Sequence, residues 1–268
     1  MNIAVVTKPN MSEHPTRESV IRTLREDPAC RITECAVRGQ IPADSDRVLV
    51  FGGDGTMLDA VRAIGGRNIP VLGVNLGYLG FLSAFESDAD CDRIIDCLKH
   101  GKPVPRMLLD VDINGSAASE ALNEVVIKTA GTRPITVDVS VDGKFADSFH
   151  SDGVIVSSPA GSTAYSLSAG GPVLAPGVDA TVIIPICAHS LHSRPLVVNA
   201  SAKISVKLSG NLAASVSVDG ADSGNLQVGE SVTVTKSEKS VLFLTDGNEN
   251  FYAKLLKKMN RWGTTQVL

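Results

Sequence analysis

Several familiar signatures are missing from this chain of 268 residues. It has no GxxxxGKS/T and no GxGxxG, so neither a P-loop nor the dinucleotide-binding glycine turn is indicated. GxSxG is also absent, which argues against a serine hydrolase. No apolar run approaches the roughly 20 residues needed to span a membrane. The apolar start, Met1 to Val6, is too short for a signal sequence and is closely followed by Lys8-Pro9. No basic block stands out, and 25 Lys and Arg are set against 29 Asp and Glu, which excludes a nucleic-acid surface. The five cysteines (Cys30, Cys35, Cys91, Cys97, Cys187) are odd in number and include no CxxC. They suit a reducing compartment and give no zinc site. The expectation is a cytoplasmic protein with no membrane or nucleic-acid partner. At 43% hydrophobic, 20% charged and 4% aromatic residues, it is a soluble globular chain able to bury one or two cores.

The chain is organised around Val48-Leu49-Val50-Phe51-Gly52-Gly53-Asp54-Gly55-Thr56-Met57-Leu58. An apolar run ends in three glycines that enclose one aspartate, and helical spacing follows. This reads as strand, tight turn and helix. Glycine permits positive φ and close approach of a ligand to the backbone. The N–H groups of such a turn, and of the helix start behind it, attract anions. Asp54 does not fit a simple phosphate cradle, because its carboxylate repels phosphate unless it binds Mg²⁺ or handles a hydroxyl proton.

Up to about residue 100, strands and helices alternate. Strands are expected at Asn2–Thr7, Arg31–Val37, Arg47–Phe51 and Ile69–Val74, and helices at Thr16–Glu26, after Thr56, and at Asp88–His100. This order argues for a parallel sheet with helices on its faces, which binds ligands beyond the C-terminal strand ends. The turns at Gly52–Gly55 and at Gly73–Leu82 lie at such ends. From Gly101-Lys102-Pro103 onward, period-two segments take over: Met107–Ile113, Ala121–Lys128, Ile135–Val141, Lys144–Phe149, Val154–Ser157, Thr181–Ile186, Ala202–Leu208, Ala213–Val218, Ser231–Thr235 and Val241–Leu244. Asp142-Gly143 is a hairpin signal. A short helix is expected near Thr163–Ala169. A last helix, Phe251–Arg261, presents Leu255, Leu256 and Met259 as its apolar face and Lys254, Lys257 and Lys258 to solvent. The expected domains are an α/β domain of residues 1–101 joined by the C-terminal helix 250–268, and a mainly antiparallel β domain of residues 102–249.

Two further stretches carry polar residues where a plain core would not. Asn123-Glu124 interrupts the apolar run from Ala121 to Ile127, and an unpartnered pair there would be costly. Adjacent strand residues face opposite ways, so the two can share a ligand only near a strand end or bulge. His150 to Pro172 contains an Asp-Gly turn, an apolar strand, a hydroxyl-rich Pro/Gly turn and a glycine pair. Small residues leave room for a flat ligand, and the hydroxyls and Tyr165 can bond to it or stack on it. Each serine taken alone is as well explained as a turn or cap. His189 and His192 have metal-like spacing but lack a third ligand nearby, so a polar contact role is the better reading. Arg133 and Arg194 suit either phosphate contact or the solvated surface.

Taken together in order, Gly52-Gly53-Asp54-Gly55-Thr56, Asn75 to Leu82, Asn123-Glu124, Asp152-Gly153, Ser158 to Tyr165, and Arg194-Pro195-Leu196-Val197 resemble the motif series of the NAD kinases. GGDGT alone is shared with diacylglycerol- and sphingosine-type lipid kinases, but the later motifs are not. The resemblance implies an N-terminal Rossmann-like α/β domain, a β-rich C-terminal domain and an active site in the cleft between them. It implies transfer of the γ-phosphoryl of ATP, or of polyphosphate, to the adenosine 2′-hydroxyl of NAD, with Mg²⁺ as the divalent cation. A homodimer or homotetramer is expected. A lipid kinase and a non-catalytic NAD-binding regulatory protein on the same fold are the alternatives.

The resemblance also implies residue roles. Asp54 is the catalytic residue that addresses the 2′-hydroxyl, with Gly55 beside it. Asn123 and Glu124 hold the ribose and adenine side, Asp152 faces the nicotinamide part, and Ala160 lines the pocket. Thr163, Ala164, Tyr165, Ser166, Leu167 and Ser168 wrap the nucleotide. Arg133 and His150 occupy positions that reach toward ligand. No protein metal ligands are implied. Two departures stand out. Ala221, in Ser217-Val218-Asp219-Gly220-Ala221, occupies a position that is often Gln, and His150 one that is often Arg. Whether Asp54 acts as base, orienting group or metal ligand stays open at this point, since a carboxylate is a weak base toward an alcohol.

Overall fold

The computed structural model describes residues 1–77, 80–190, 192–248 and 250–263, without the side chains of Ala118 and residues 261–263. Tyr78 and Leu79 of the second motif, and residues 264–268 of the expected last helix, lie outside the described residues. The chain divides into two units, Met1–Pro105 with Val241–Leu268, and Arg106–Ser240.

The first unit begins with β1 (Asn2–Thr7), α1 (Pro15–Glu26), β2 (Arg31–Cys35), β3 (Arg47–Phe51), α2 (Asp54–Ile64), β4 (Val71–Asn75), β5 (Phe85–Glu86) and α3 (Cys91–His100). The parallel strand order is β2-β1-β3-β4. The inner strands β1, β3 and β4 are nearly continuous buried apolar runs, as a helix-covered parallel sheet requires, whereas the edge strand β2 is largely exposed. Val20, Ile21 and Leu24 of α1 and Ile94, Ile95 and Leu98 of α3 join Leu49, Phe51 and Leu72 in one core. Each such side chain contributes roughly 1.5–3 kcal/mol on burial. Local chemistry sets the helix ends. Asp90 caps α3 by accepting from the Asp92 N–H, and Gly65 ends α2 in the left-handed conformation.

The second unit is almost entirely β. Its elements are β6 (Lys102–Ile113), β7 (Ser116–Ala121), β8 (Glu124–Thr129), β9 (Ile135–Val141), β10 (Lys144–Ser151), β11 (Gly153–Ser157), α4 (Tyr165–Ser168), β12 (Ala180–Ile186), β13 (Leu196–Asn199), β14 (Ile204–Leu208), β15 (Ala214–Val218), β16 (Ala221–Leu226) and β17 (Ser231–Thr245). The division between the units falls inside β6 and inside β17. One antiparallel sheet runs β13-β12-β11-β8-β15-β16. In the other sheet, β10, β9, β14 and β17 pair in that order. Val125, Ile127, Val154 and Val156 from the first sheet meet Val137, Val139, Val206 and Val234 from the second in a shared core. Asp142 and Gly143 take positive φ (51° and 74°) in the hairpin between β9 and β10, as Asp-Gly signals.

Beyond shifts of a few residues at element ends, sequence and structure differ in the following ways. Ser231–Thr235 and Val241–Leu244 are parts of a single strand, β17. The expected strand Ala121–Lys128 is broken: β7 ends at Ala121 and β8 begins at Glu124. β5, β13 and β16 lie outside every period-two segment read from the sequence. The last helix, α5 (Phe251–Gly263), is turned relative to the expected face. Tyr252, Leu256 and Met259 are exposed, whereas Phe251, Lys254, Leu255 and Lys258 are partly buried. The two lysines bury their aliphatic stems because their ammonium groups find polar partners within the first unit, a choice that hydropathy counting does not register.

Candidate active site

In the first unit the glycine turn behaves differently from a simple positive-φ turn. Gly52, Gly53 and Gly55 all lie outside the positive-φ glycines. A Cβ on Gly52 would stand 2.5 Å from Thr56 Oγ1, so packing demands glycine there. A Cβ on Gly53 or Gly55 would meet nothing within 4 Å. Neither φ nor packing within the chain explains those two, and both border open space. A cavity of about 360 Å³ adjoins them, lined also by Lys8, Arg38, Thr56 and Asp59. Lys8 is held there because its backbone N–H donates to the Phe51 carbonyl at 2.9 Å. The helix N-terminus, Lys8 and Arg38 together form a surface suited to phosphate, with Arg38 paired to Asp59 at 3.2 Å.

Helix α2 starts at Asp54 itself, three residues earlier than the start expected after Thr56, with Gly53 as its cap residue. Asp54 is therefore the first helical residue, at the positive end of the helix dipole. Its carboxylate accepts from the backbone N–H of Phe81 at 2.9 and 3.1 Å and of Leu82 at 3.1 Å. Gly80 makes this approach possible, since a Cβ there would fall 2.2 Å from Asp54 Oδ1. The second glycine-rich motif is thus the holder of Asp54. Asn75, fully buried, supports the same turn by accepting from the Gly77 N–H (3.1 Å) and donating to Glu86 (2.9 Å). Burial pushes the Glu86 carboxyl above the usual range, against the opposing pull of Lys254 and Asn75. Lys258 Nζ lies 4.0 Å from Asp54 Oδ2.

In the second unit, the break between β7 and β8 is held open by Asp219. This residue has φ 48° in the turn between β15 and β16. Its carboxylate accepts from the backbone N–H of Leu122 (2.7 Å), Asn123 (2.8 Å) and Glu124 (3.1 Å). Three donors that a continuous strand would give to a neighbour are satisfied by one side chain, so both polar residues sit at a strand start. From the other side, the Ser158 N–H donates to the Asn123 carbonyl at 2.8 Å, and Ser158 Oγ donates to the Leu122 carbonyl. Gly161 is required by contact, because its Cβ would stand 2.1 Å from the Asn123 carbonyl oxygen.

Held in this way, Asn123 and Glu124 are buried, yet Asn123 Oδ1 and Glu124 Oε2 have no partner among the described residues. Such atoms cost free energy unless a ligand satisfies them. Burial, and then the charge of Asp219, push the Glu124 carboxyl up to about 8. Perturbed buried carboxyls of this kind concentrate at functional sites. Ser166 Oγ is a third buried atom without a partner. By contrast, Ser162 Oγ and Thr163 Oγ1 donate to the carbonyls of Pro159 and Ala160, as turn hydroxyls do. Tyr165 and Ser168 are exposed, Ala160, Ala164 and Leu167 half-buried, and Ala221 opens β16 directly after the Asp219-Gly220 turn.

The antiparallel register sorts the remaining residues. Ser157 faces Glu124 at one end of the β8–β11 pair, and Gly153 faces Lys128 at the other. Asn123, Glu124 and the Ala160–Ser168 turn belong to the first end. Asp152 and His150 belong to the second, four residue steps away, or about 13 Å. Arg133 is exposed in the β8–β9 loop beyond that second end, where its carbonyl accepts from Thr129 Oγ1. His150 is exposed, bonded to Thr136 Oγ1 at 3.1 Å and edge-on to His189 at 5.3 Å. The two histidines therefore contact each other, and among the described residues no group of three His, Cys, Asp or Glu is placed to hold a metal ion.

Comparison with known proteins decides the family. The model of the ATP-NAD kinase N-terminal domain matches residues 3–102, and that of the ATP-NAD kinase C-terminal domain matches residues 122–245. The chain belongs to the NAD kinase family. An NAD kinase of Geotalea daltonii is 38% identical over 235 residues, covering 85% of this chain and 82% of the relative. One from a Geobacter strain is 39% identical over 242 residues, covering 87% and 83%. Among solved structures, an Archaeoglobus fulgidus NAD kinase in complex with ATP is similar with a TM-score of 0.82 and 26% identity, over 97% of this chain and 99% of that one. A yeast NADH kinase complexed with NADH gives a TM-score of 0.80 and 25% identity, over 100% and 89%. These matches do not favour a lipid kinase or a non-catalytic protein.

The sequence motifs named most of the polar residues described above but missed three. Asp219 served only as a landmark for Ala221, although an Asp-Gly dipeptide after an apolar strand marks a turn. Lys8 and Arg38 belong to no motif. Lys8 immediately follows the first strand of a parallel sheet, where ligands approach, and that was the available signal.

Proposed function

We propose that this NAD kinase transfers the terminal phosphoryl group of ATP to the adenosine 2′-hydroxyl of NAD, with Asp54 addressing the acceptor hydroxyl. The observation that carries the reading is the fixed Asp54 carboxylate at the start of α2, beside glycines that neither backbone angle nor packing requires. In the transfer, the acceptor oxygen bonds to phosphorus as the bridging phosphorus–oxygen bond breaks. The electron pair leaves with ADP, and the hydroxyl proton passes to the Asp54 carboxylate. Alignment and charge neutralisation supply most of the acceleration in such reactions. Three backbone N–H contacts fix the carboxylate's direction, which supports an orienting role for Asp54 toward the acceptor hydroxyl.

Gly53, Gly55, Lys8 and Arg38 take the donor phosphates. The divalent cation enters with the nucleotide, as is usual for Mg²⁺ bound through substrate phosphates. Asn123 and Glu124 take the ribose and adenine side of NAD, supported by their unpartnered buried oxygens. Asp152, His150 and Arg133 are assigned to the remote part of the dinucleotide, in keeping with their place at the far end of the β8–β11 pair. The protein is assigned to the cytoplasm as a homodimer or homotetramer. Incubation with Mg²⁺, ATP or polyphosphate, and NAD or NADH tests the reading. Formation of a 2′-phosphorylated dinucleotide is expected. Its absence with every donor and acceptor pair overturns the assignment.

A further inference from the structure

We propose that Lys258 is a further functional residue of the phosphoryl-transfer site, a charge-compensating lysine that α5 delivers to the Asp54 carboxylate. The inference rests on the assignment of Asp54 to the acceptor hydroxyl. Four observations support it. Lys258 Nζ stands 4.0 Å from Asp54 Oδ2, and its side chain is only 17% exposed. Its ammonium also lies 4.2 Å from the centre of the Phe81 ring, a cation–π distance. Phe81 is the residue whose N–H holds Asp54. One turn earlier on the same helix, Lys254 Nζ donates to the Ser83 carbonyl at 2.5 Å and lies 3.5 Å from that of Phe81. The Phe81–Ser83 segment is thus tied through its N–H groups to Asp54 and through its carbonyls to α5.

A half-buried ammonium at this place is costly unless its charge is used. Among the groups facing it are Asp54 from α2, Glu86 from β5 and the Phe81 ring. Burial pulls the Lys258 ammonium below the usual lysine range, while Asp54 and Glu86 pull it back up. A donor polyphosphate approaching a bare Asp54 would meet like charge. A fixed cation behind the carboxylate offsets that repulsion and holds the carboxylate in place. It also balances charge as the phosphoryl group, with its three oxygens, moves toward the acceptor. Lys258 acts through Asp54 and is a positioning residue in that sense. No covalent change occurs on the lysine.

The test compares the whole protein with Lys258→Met, Lys258→Arg and, as a control on the exposed side of the same helix, Lys257→Met. Steady-state rates with ATP and NAD are measured from pH 6 to 10. Lys258→Met is expected to lose about 10²-fold in kcat, with KM for NAD changed by less than about threefold. Lys258→Arg is expected to recover at least about tenfold of that loss. Wild type is expected to lose activity at alkaline pH as Lys258 gives up its proton, and in Lys258→Arg this limb is expected to move to higher pH because guanidinium does not titrate there. Lys257→Met stays within about twofold of wild type. If Lys258→Met does not fold, as judged by circular dichroism, the alkaline limb of Lys258→Arg decides alone. Lys258→Met with kcat within about twofold of wild type overturns the inference. So does an alkaline limb unmoved in Lys258→Arg. Absence of product from wild type would instead refute the NAD kinase reaction itself, so the two failures are distinguishable.

Discussion

Replacing Glu124 by Gln is expected to stabilise the protein at neutral and alkaline pH. The carboxyl is 8% exposed, and its Oε2 has no partner among the described residues. Burial and Asp219 raise it from the ordinary glutamate value of 4.5 to about 8. The folded protein therefore keeps this proton up to about pH 8, whereas the unfolded chain releases it near 4.5. Between those values the folded state binds one more proton than the unfolded state. Stability falls as pH rises across that window and levels off above about 8. At about 1.4 kcal/mol for each pH unit, the full penalty is about 5 kcal/mol as an upper bound. Gln keeps the shape and the neutral state and removes the titration. Denaturant unfolding of wild type and Glu124→Gln, run in parallel from pH 5 to 9, reads the effect as a difference. Titration of the other carboxylates cancels in that difference. The gap between the two proteins should open steadily from pH 5 to 8 and then stay constant. Parallel stability curves across this range would refute the reasoning. Since Asp219 is the second cause of the shift, Asp219→Asn should lower the upper edge of the window in the same experiment and leave the lower edge in place.

Asp54→Asn keeps the shape of the side chain and removes its charge. Turnover should fall by about 10³-fold or more while NAD binding, followed by calorimetry, stays within about tenfold. Gly80→Ala forces a methyl group into Asp54 Oδ1 (2.2 Å), so kcat should drop at least about tenfold in steady-state assays while the melting temperature moves by only a few degrees. Gly161→Ala drives its methyl against the Asn123 carbonyl, and this backbone contact cannot swing aside. It should cost about 1–3 kcal/mol in unfolding and raise KM for NAD, measured on the same preparation.

Much of the first unit was legible because periodicity and sheet chemistry agree there. β1 and β3 carry the boundaries that the apolar runs suggest, and the glycines mark the turn after β3. What the sequence could not show was why the glycines are there. The sequence allowed either positive φ or close approach of a ligand, and the structure finds no positive φ, one glycine set by Thr56 and two bordering open space. The second unit was legible as β but not in its interruptions. Asn123-Glu124 looked like a polar flaw in one strand, and the break follows from a carboxylate almost a hundred residues away, which no local pattern encodes. The face of α5 was misjudged for a related reason. Hydropathy counts Lys254 and Lys258 as surface residues, while their stems are apolar and their charges have partners in a distant turn.

The position of α5 in the chain has a consequence for when the enzyme becomes competent. Asp54 and Lys258 are neighbours in space, but the entire Arg106–Ser240 unit is encoded between them. A ribosome that has delivered the glycine turn still has that whole insertion to translate before the lysine emerges. An aborted or clipped product ending near Pro105 would carry the Gly52–Gly55 turn and Asp54 without α5. Full-length synthesis is therefore a precondition for bringing Lys258 to Asp54.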